Sequence, residues 1–217
     1  MSIVYLDRYF HYDKDLVGDS QVFLEIGTWN GGNMKKLFRG FPDSKIIVYE
    51  AGFDNFKKLK KNYMEIGSPK NVFIHNKAVS DKDGIIKFFE YKDKPASNSV
   101  FERHLKSKVF VIEKERKISS VNLQGILKEN NVNKIDIVFA NAEGIEVMLL
   151  DELCQKKEVR DAIPQLCLSM HERIVGKKEV DRVLNRISEF YTFEEASGKW
   201  PCHLFRRKDL LAKGEGG

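Results

Sequence analysis

Chemistry-bearing residues collect where apolar runs end. In "VFLEIGTWNGGN" the run stops at Ile26 and gives way to Gly27, Thr28, Gly31 and Gly32, with Glu25 just inside it. A turn of small residues lets backbone N–H groups come close to a ligand, and glycine tolerates that approach best. "KIIVYE" ends in Glu50, about 20 residues beyond the turn, where nucleoside-binding α/β folds place an acid against ribose hydroxyls. A carboxylate suits the task because it accepts from both vicinal hydroxyls, and charge-assisted hydrogen bonds are the stronger kind. "FANAEGIE" supplies Asn141, Glu143 and Glu146, and "SMH" ends in His171. Imidazole ordinarily titrates near neutral pH, so His171 is the best candidate for a base that takes a hydroxyl proton. Asn141 could orient a ligand through its amide or cap the next helix. Glu143 could touch substrate or favour that helix's positive end.

These residues need a frame that brings strand ends together. Apolar periodicity supplies an alternating order. "QVFLEIG", "KIIVYE", "NVFIHNKAV", "KIDIVFA" and "PQLCLSMH" read as buried strands. Between them, "GNMKKLFRGF", "DNFKKLKKNYMEIG", "NLQGILKENN", "EGIEVMLLDEL" and "GKKEVDRVLNRISEF" carry apolar residues at helical spacing. The alternation lapses in the middle of the chain, where "DKDGIIKFFEYKD" and "KVFVIEKERKISSV" read as strands with no helix between them, an antiparallel insertion. The polar loop "KPASNSVFERHLKS" joins them. "YTFEEA" and "PCHLFRRK" close the chain as strands, joined through "SGKW". A connection that short permits an antiparallel hairpin but no parallel crossover. The expected architecture is an α/β domain with a mostly parallel sheet and an antiparallel last strand.

In such sheets ligands bind beyond the carboxyl ends of the strands, at the switch in strand order. The first glycine turn is therefore the place to look. It departs from the dinucleotide pattern G-x-G-x-x-G, because Trp29 stands where the second glycine belongs. Trp29 could line the mouth of a site or simply pack.

The chain has 217 residues, 42% hydrophobic and 32% charged, with a formal charge of +5. These are values for a globular domain with a mildly basic, mixed-sign surface, which does not call for nucleic acid. Cys154, Cys167 and Cys202 are isolated and match neither a disulfide framework nor a zinc pattern. No apolar run approaches a membrane span, and the N-terminus carries acids and tyrosines unlike a signal peptide. The expectation is a reduced, cytoplasmic protein with no membrane span. No feature specifies an oligomer. Residues 1–20 are expected to form a helical segment, or a lid carrying Tyr5, Tyr9, His11 and Tyr12. Residues 21–210 form the domain and 211–217 a disordered tail.

Taken in order, "LEIGTWNGG", "VYEAGFDNFKKLKKN", "NVFIHNKAVSDKDG" and "IDIVFANAEGIEVMLL" resemble FkbM-type S-adenosylmethionine-dependent methyltransferases. The resemblance implies a Rossmann-like class I methyltransferase fold, with a seven-stranded, mostly parallel sheet and helices on both faces. It implies S-adenosylmethionine as cofactor. Glu25, Gly27, Thr28 and Gly31 would face its methionine part, Glu50 and Ala51 its ribose, and Lys77 and Ala78 its adenine. Asn141 would sit near the reactive methyl, and "SNS" would form a small polar loop beside the site. The implied reaction is O-methylation of a small-molecule or glycan hydroxyl, with His171, Asn141 and Glu143 as catalytic candidates.

The chain also departs from the family pattern. Asn141 replaces an aspartate, Gln124 and Gly125 replace a pair of acids, and Ser169 replaces a glutamate. Hard divalent cations need anionic oxygens, so these changes count against a metal-assisted mechanism. They also keep open a catalytically inactive binding or regulatory module of the same fold. RNA methylation is a second alternative, but no N-P-P-[FY] tetrapeptide follows the fourth strand. A nicotinamide dehydrogenase is disfavoured by Trp29 and the closing hairpin.

Overall fold

A computed structural model describes residues 2–6, 10–18, 21–92, 94–102, 111–195 and 202–212. The expectations on Tyr9, on the turn at 196–201 and on the tail beyond residue 212 lie outside them; of the expected tail 211–217, the first two residues are described, and Leu211 ends a short helix.

The chain opens with a two-stranded antiparallel hairpin, β1 (Ile3–Tyr5) and β2 (His11–Asp13). Strand β3 (Val22–Ile26) then starts a parallel βαβαβ unit through helix α1 (Gly32–Gly40), strand β4 (Lys45–Tyr49), helix α2 (Phe53–Glu65) and strand β5 (Val72–His75). The insertion follows: β6 (Ala78–Val79), β7 (Gly84–Tyr91) and β8 (Ile112–Val121) form a separate three-stranded sheet. Helix α3 (Leu123–Glu129), strand β9 (Ile137–Ala140), helices α4 (Glu146–Gln155) and α5 (Lys157–Ala162), and strand β10 (Gln165–Leu168) return to the main sheet. Helices α6 (Glu172–Val175) and α7 (Lys177–Ile187), strands β11 (Tyr191–Glu195) and β12 (His203–Arg207), and helix α8 (Lys208–Leu211) complete the fold.

The main sheet has seven strands in the order β11-β12-β10-β9-β3-β4-β5. Strand β12 is antiparallel to both neighbours, as the short connection required. The chain leaves β3 toward β4 on one side and β9 lies on the other, so the switch in strand order falls beside the glycine turn. Alternating strand residues face opposite layers. Leu24, Ile47, Val138 and Leu166 pack against α3, α4, α5 and α7. Phe23, Ile46, Phe139 and Cys167 pack against α1 and α2. Strands buried on both faces explain why their sequences read as unbroken apolar runs.

Two expectations need correction. Residues 1–20 form no α-helix among those described: they are the β1–β2 hairpin and a single 3-10 turn at Lys14–Leu16. Aromatic and β-branched residues favour extended backbone, and tertiary contacts hold it there. Phe10 stacks against Phe139 at 5.0 Å, and Tyr12 meets Phe23 and Phe41 edge-on. The Gln165 amide accepts from Asp13 N–H and donates to Asp13 C=O, while Arg206 pairs with the buried Asp13 carboxylate. The hairpin is thus clamped to β10 and β12, and none of its described residues lines the cavity considered below. Second, "NVFIHNKAV" is not one strand. It breaks at Asn76, whose amide donates to the carbonyls of Glu50 and Ala51, and its end joins the insertion as β6.

Candidate active site

The carboxyl ends of β3, β4 and β9 surround a cavity. Its floor is built by glycine. Gly27 has φ +77°, and a Cβ there would lie 2.5 Å from the Asn141 carbonyl and 2.8 Å from the Ala142 methyl. The loops after β3 and β9 therefore touch backbone to backbone, which only glycine permits. Gly31, at φ +81°, is pressed instead against Leu59 of α2. It shapes the turn without lining the cavity. Thr28 and Glu25 sit beneath the turn, 7% and 2% exposed, and do not line the cavity either.

Glu50 is the central charged group. Its side chain is buried at the end of β4, with Oε1 accepting from Gly52 N–H and Oε2 from Trp29 N–H, each at 2.8 Å. Burial pushes its carboxyl up to about 7, and the hydrogen bonds from Gly52, Trp29 and Asn55 oppose the rise. A carboxylate has about four acceptor sites; the two amides fill two and Asn55 Nδ2 reaches Oε1 at a long 3.5 Å, which leaves room for at least one hydroxyl. Beside it Asn55 donates to the Pro95 carbonyl at 2.9 Å, while its own Oδ1 is buried without a hydrogen-bond partner. Thr28 Oγ1 is in the same condition. Buried polar atoms are normally satisfied, so such orphans mark a place for water or ligand. Sequence reasoning missed Asn55. Its signal was available only as an asparagine in the first turn of α2.

The far wall meets the other strand ends. Ala51 and Ala78 line it, and so does Lys77, whose ammonium reaches Glu129 at 2.5 Å. Tyr49 also donates to Glu129, stacks on His75 with ring centroids 4.5 Å apart, and lines the cavity. The roof is the Pro95–Val100 stretch of the insertion. Asn98 accepts from Tyr91 N–H, and Ser99 donates to the Glu143 carbonyl at 2.8 Å. So tied, the roof encloses about 50 Å³, well below the roughly 300 Å³ from which small-ligand pockets start.

Asn141 and Glu143 line the cavity on the β9 side. Asn141 is not the cap of α4: that position is Ile145, with no side-chain bond. Glu146 does the capping, its buried carboxylate accepting from Ala142 N–H at 2.8 Å and Gly144 N–H at 2.9 Å. This holds Glu143 at φ +57°, a strained conformation for a non-glycine residue. His171 stands behind Glu143 without lining the cavity. Its Nδ1 is 3.1 Å from Glu146 Oε1 and its Nε2 3.7 Å from Glu143 Oε1. Glu146 thus orients His171, a role that no local sequence signal marks.

The replaced acids lie in three places, one of them just after β10, where Ser169 N–H donates to the Ala140 carbonyl at 2.9 Å and the residue does not line the cavity. Gln124 and Gly125 do not line the cavity. They open α3 beside α4 and α5, where Gln124 bonds Lys156 and Glu158 and a Cβ on Gly125 would strike Asp83 and Val121. Glu152, from α4, supplies the negative charge at that helix start by accepting from Leu123 and Gln124 N–H. Only Asn141 faces the cavity itself.

No protein-family model matches the chain, and no curated protein does. Solved structures do. An FkbM methyltransferase from Methylobacillus flagellatus superposes with a TM-score of 0.53 at 12% identity, over 87% of this chain and 44% of the other. The Podospora anserina methyltransferase PaMTH1, bound to S-adenosylhomocysteine (SAH), gives 0.51 at 11% identity over 87% and 72%. TrmK of M. capricolum, also in complex with SAH, gives 0.50 at 13% over 89% and 65%. This chain spans less than half the length of the FkbM protein. The likeness is one of fold: the chain has the class I methyltransferase fold that its motifs led one to expect. No described helix is long and apolar enough to cross a membrane.

Proposed function

We propose that the chain is an S-adenosylmethionine-dependent methyltransferase acting on a hydroxyl of a sugar, glycan or secondary metabolite. The observation that carries the cofactor reading is Glu50. It is a buried carboxylate at the switch point, held by two backbone amides, with the orphaned Asn55 Oδ1 beside it. Those groups fit a nucleoside: Glu50 takes the ribose hydroxyls, while Gly27, Ala51 and Ala78 allow close approach. Lys77 and Tyr49 form the adenine side.

When bound, the cofactor supplies an electrophilic methyl group on a sulfonium. An alcohol acceptor must lose its proton as it attacks, and His171, next to the cavity-lining Glu143, is the base this reading assigns. The Nδ1 of His171 faces Glu146 Oε1 and its Nε2 faces Glu143 Oε1. The charge created on the ring by proton uptake is then met by two carboxylates. This base favours an oxygen acceptor, since an amine can attack through a lone pair it already has. Asn141, at the cavity wall, orients the reactants through its amide.

Calorimetric titration with S-adenosylmethionine and with SAH tests the reading, followed by methyl transfer to glycan and small-alcohol panels. Failure of the folded protein to bind either ligand would reject it. Binding without transfer to any acceptor would point to an inactive module.

A further inference from the structure

At position 29 the backbone and the side chain make opposite demands. Trp29 has φ +59°, in the left-handed region that glycine enters freely and a bulky residue does not. The dinucleotide turn has glycine at this spot, and the conformation seen here would suit it. Trp29 is 45% exposed, so packing within the protein leaves about half of this large residue uncovered. Strained non-glycine residues persist where the surroundings over-determine them, typically at ligand clamps. Here the clamp is visible: Trp29 N–H donates to Glu50 Oε2, and Trp29 lines the cavity. Its ring therefore lies within one side-chain length of whatever Glu50 holds.

We infer that Trp29 is a ligand-contacting residue, its indole packing over the ribosyl and thioether part of the nucleoside cofactor, an inference that rests on the cofactor reading above. An aromatic face suits that part of the ligand. It offers apolar cover to the sugar's C–H groups and a favourable contact to sulfur. The exposed ring is then a surface awaiting burial, and the strained backbone is what aims it.

The chain's only other tryptophan is Trp200, so Trp200→Phe leaves Trp29 as the sole indole emitter. That protein is titrated with SAH by fluorescence and by calorimetry, beside Trp29→Gly and Trp29→Phe in the same background. The expected result is a saturable change in Trp29 emission whose midpoint matches the calorimetric Kd. Trp29→Gly should bind about tenfold more weakly, the loss from covering roughly half of the ring's exposed area. Trp29→Phe, which keeps an aromatic face, should stay within about threefold. The emission change is read with the loop unsubstituted, so it stands whatever Trp29→Gly does to folding. Undiminished SAH binding by Trp29→Gly, with no emission change in its parent, overturns the inference and leaves the cofactor reading intact. A parent protein that binds no SAH at all overturns both.

Discussion

Glu50 should drive stability and ligand affinity in opposite directions with pH. An ordinary glutamate titrates near 4.5, whereas in the fold Glu50 keeps its proton up to about 7, because burial disfavours the charge. Between those values the folded chain holds a proton that the unfolded chain has lost. Stability from this group is therefore greatest below about pH 4.5, falls as pH rises through the window, and levels off above 7. One proton changes stability by about 1.4 kcal/mol per pH unit, or at most roughly 3.5 kcal/mol across the window. Affinity runs the other way. The carboxylate is the stronger acceptor for ribose hydroxyls, so the Kd for SAH should worsen up to about tenfold per unit below pH 7. Urea denaturation of the ligand-free protein and calorimetry with SAH, both from pH 5 to 8.5, measure the two trends. Glu50→Gln should flatten both. Glu50→Ala should weaken SAH about a hundredfold or more, since two charge-assisted bonds of about 1.5–3 kcal/mol each are lost. Parallel trends, or a Glu50→Gln protein that keeps either wild-type slope, would refute the reasoning.

Other outcomes follow from single contacts. His171→Ala should lower kcat about a hundredfold or more while leaving the calorimetric Kd for SAH within a factor of about two, because the role proposed for the ring is proton transfer and the ring does not line the cavity. Gly27→Ala should cost at least about 2 kcal/mol in urea unfolding, as a strained φ and a 2.5 Å contact with the Asn141 carbonyl combine. Gly40→Ala, in α1 with nothing within 4 Å of a Cβ, should instead gain up to about 1 kcal/mol in the same assay. Arg206→Met leaves the buried Asp13 carboxylate without its cation. A loss of about 3 kcal/mol is expected, with faster proteolysis of residues 1–18 as the sign that the hairpin has come away.

Much of the frame was legible because its signals are local. The strands buried on both faces announce themselves as apolar runs, and "SGKW" is too short for anything but a hairpin. From these followed the α/β order, the antiparallel β12 and the place of the switch. Glu50 was legible for the same reason: it ends a strand one βαβ step after a glycine turn. Its link to the cavity needed only the general rule for open sheets. The N-terminal segment was not legible. A dozen residues rich in tyrosine and phenylalanine tolerate helix or strand, and what selects strand is Gln165 and Arg206, more than 150 residues away.

The site divides along the same line. Residue type and strand position pointed to Gly27, Glu50, Asn141 and Glu143, and the family resemblance to Ala51, Lys77 and Ala78; all of these line the cavity. What each residue's neighbours are was decided by folding. Gly31 turns out to answer to Leu59, and Gln124 and Gly125 to α4, α5 and Asp83, because helices pack across the chain on contacts that leave no local pattern. Asn55 enters the site only because the insertion loop crosses α2 and occupies its amide. Glu146, a helix-start acid by sequence, becomes the partner of His171 only when β9 and β10 lie side by side. Periodicity and turn chemistry specify which residues end a strand. Which side chains then face one another depends on strand order and helix packing, and those are properties of the whole chain.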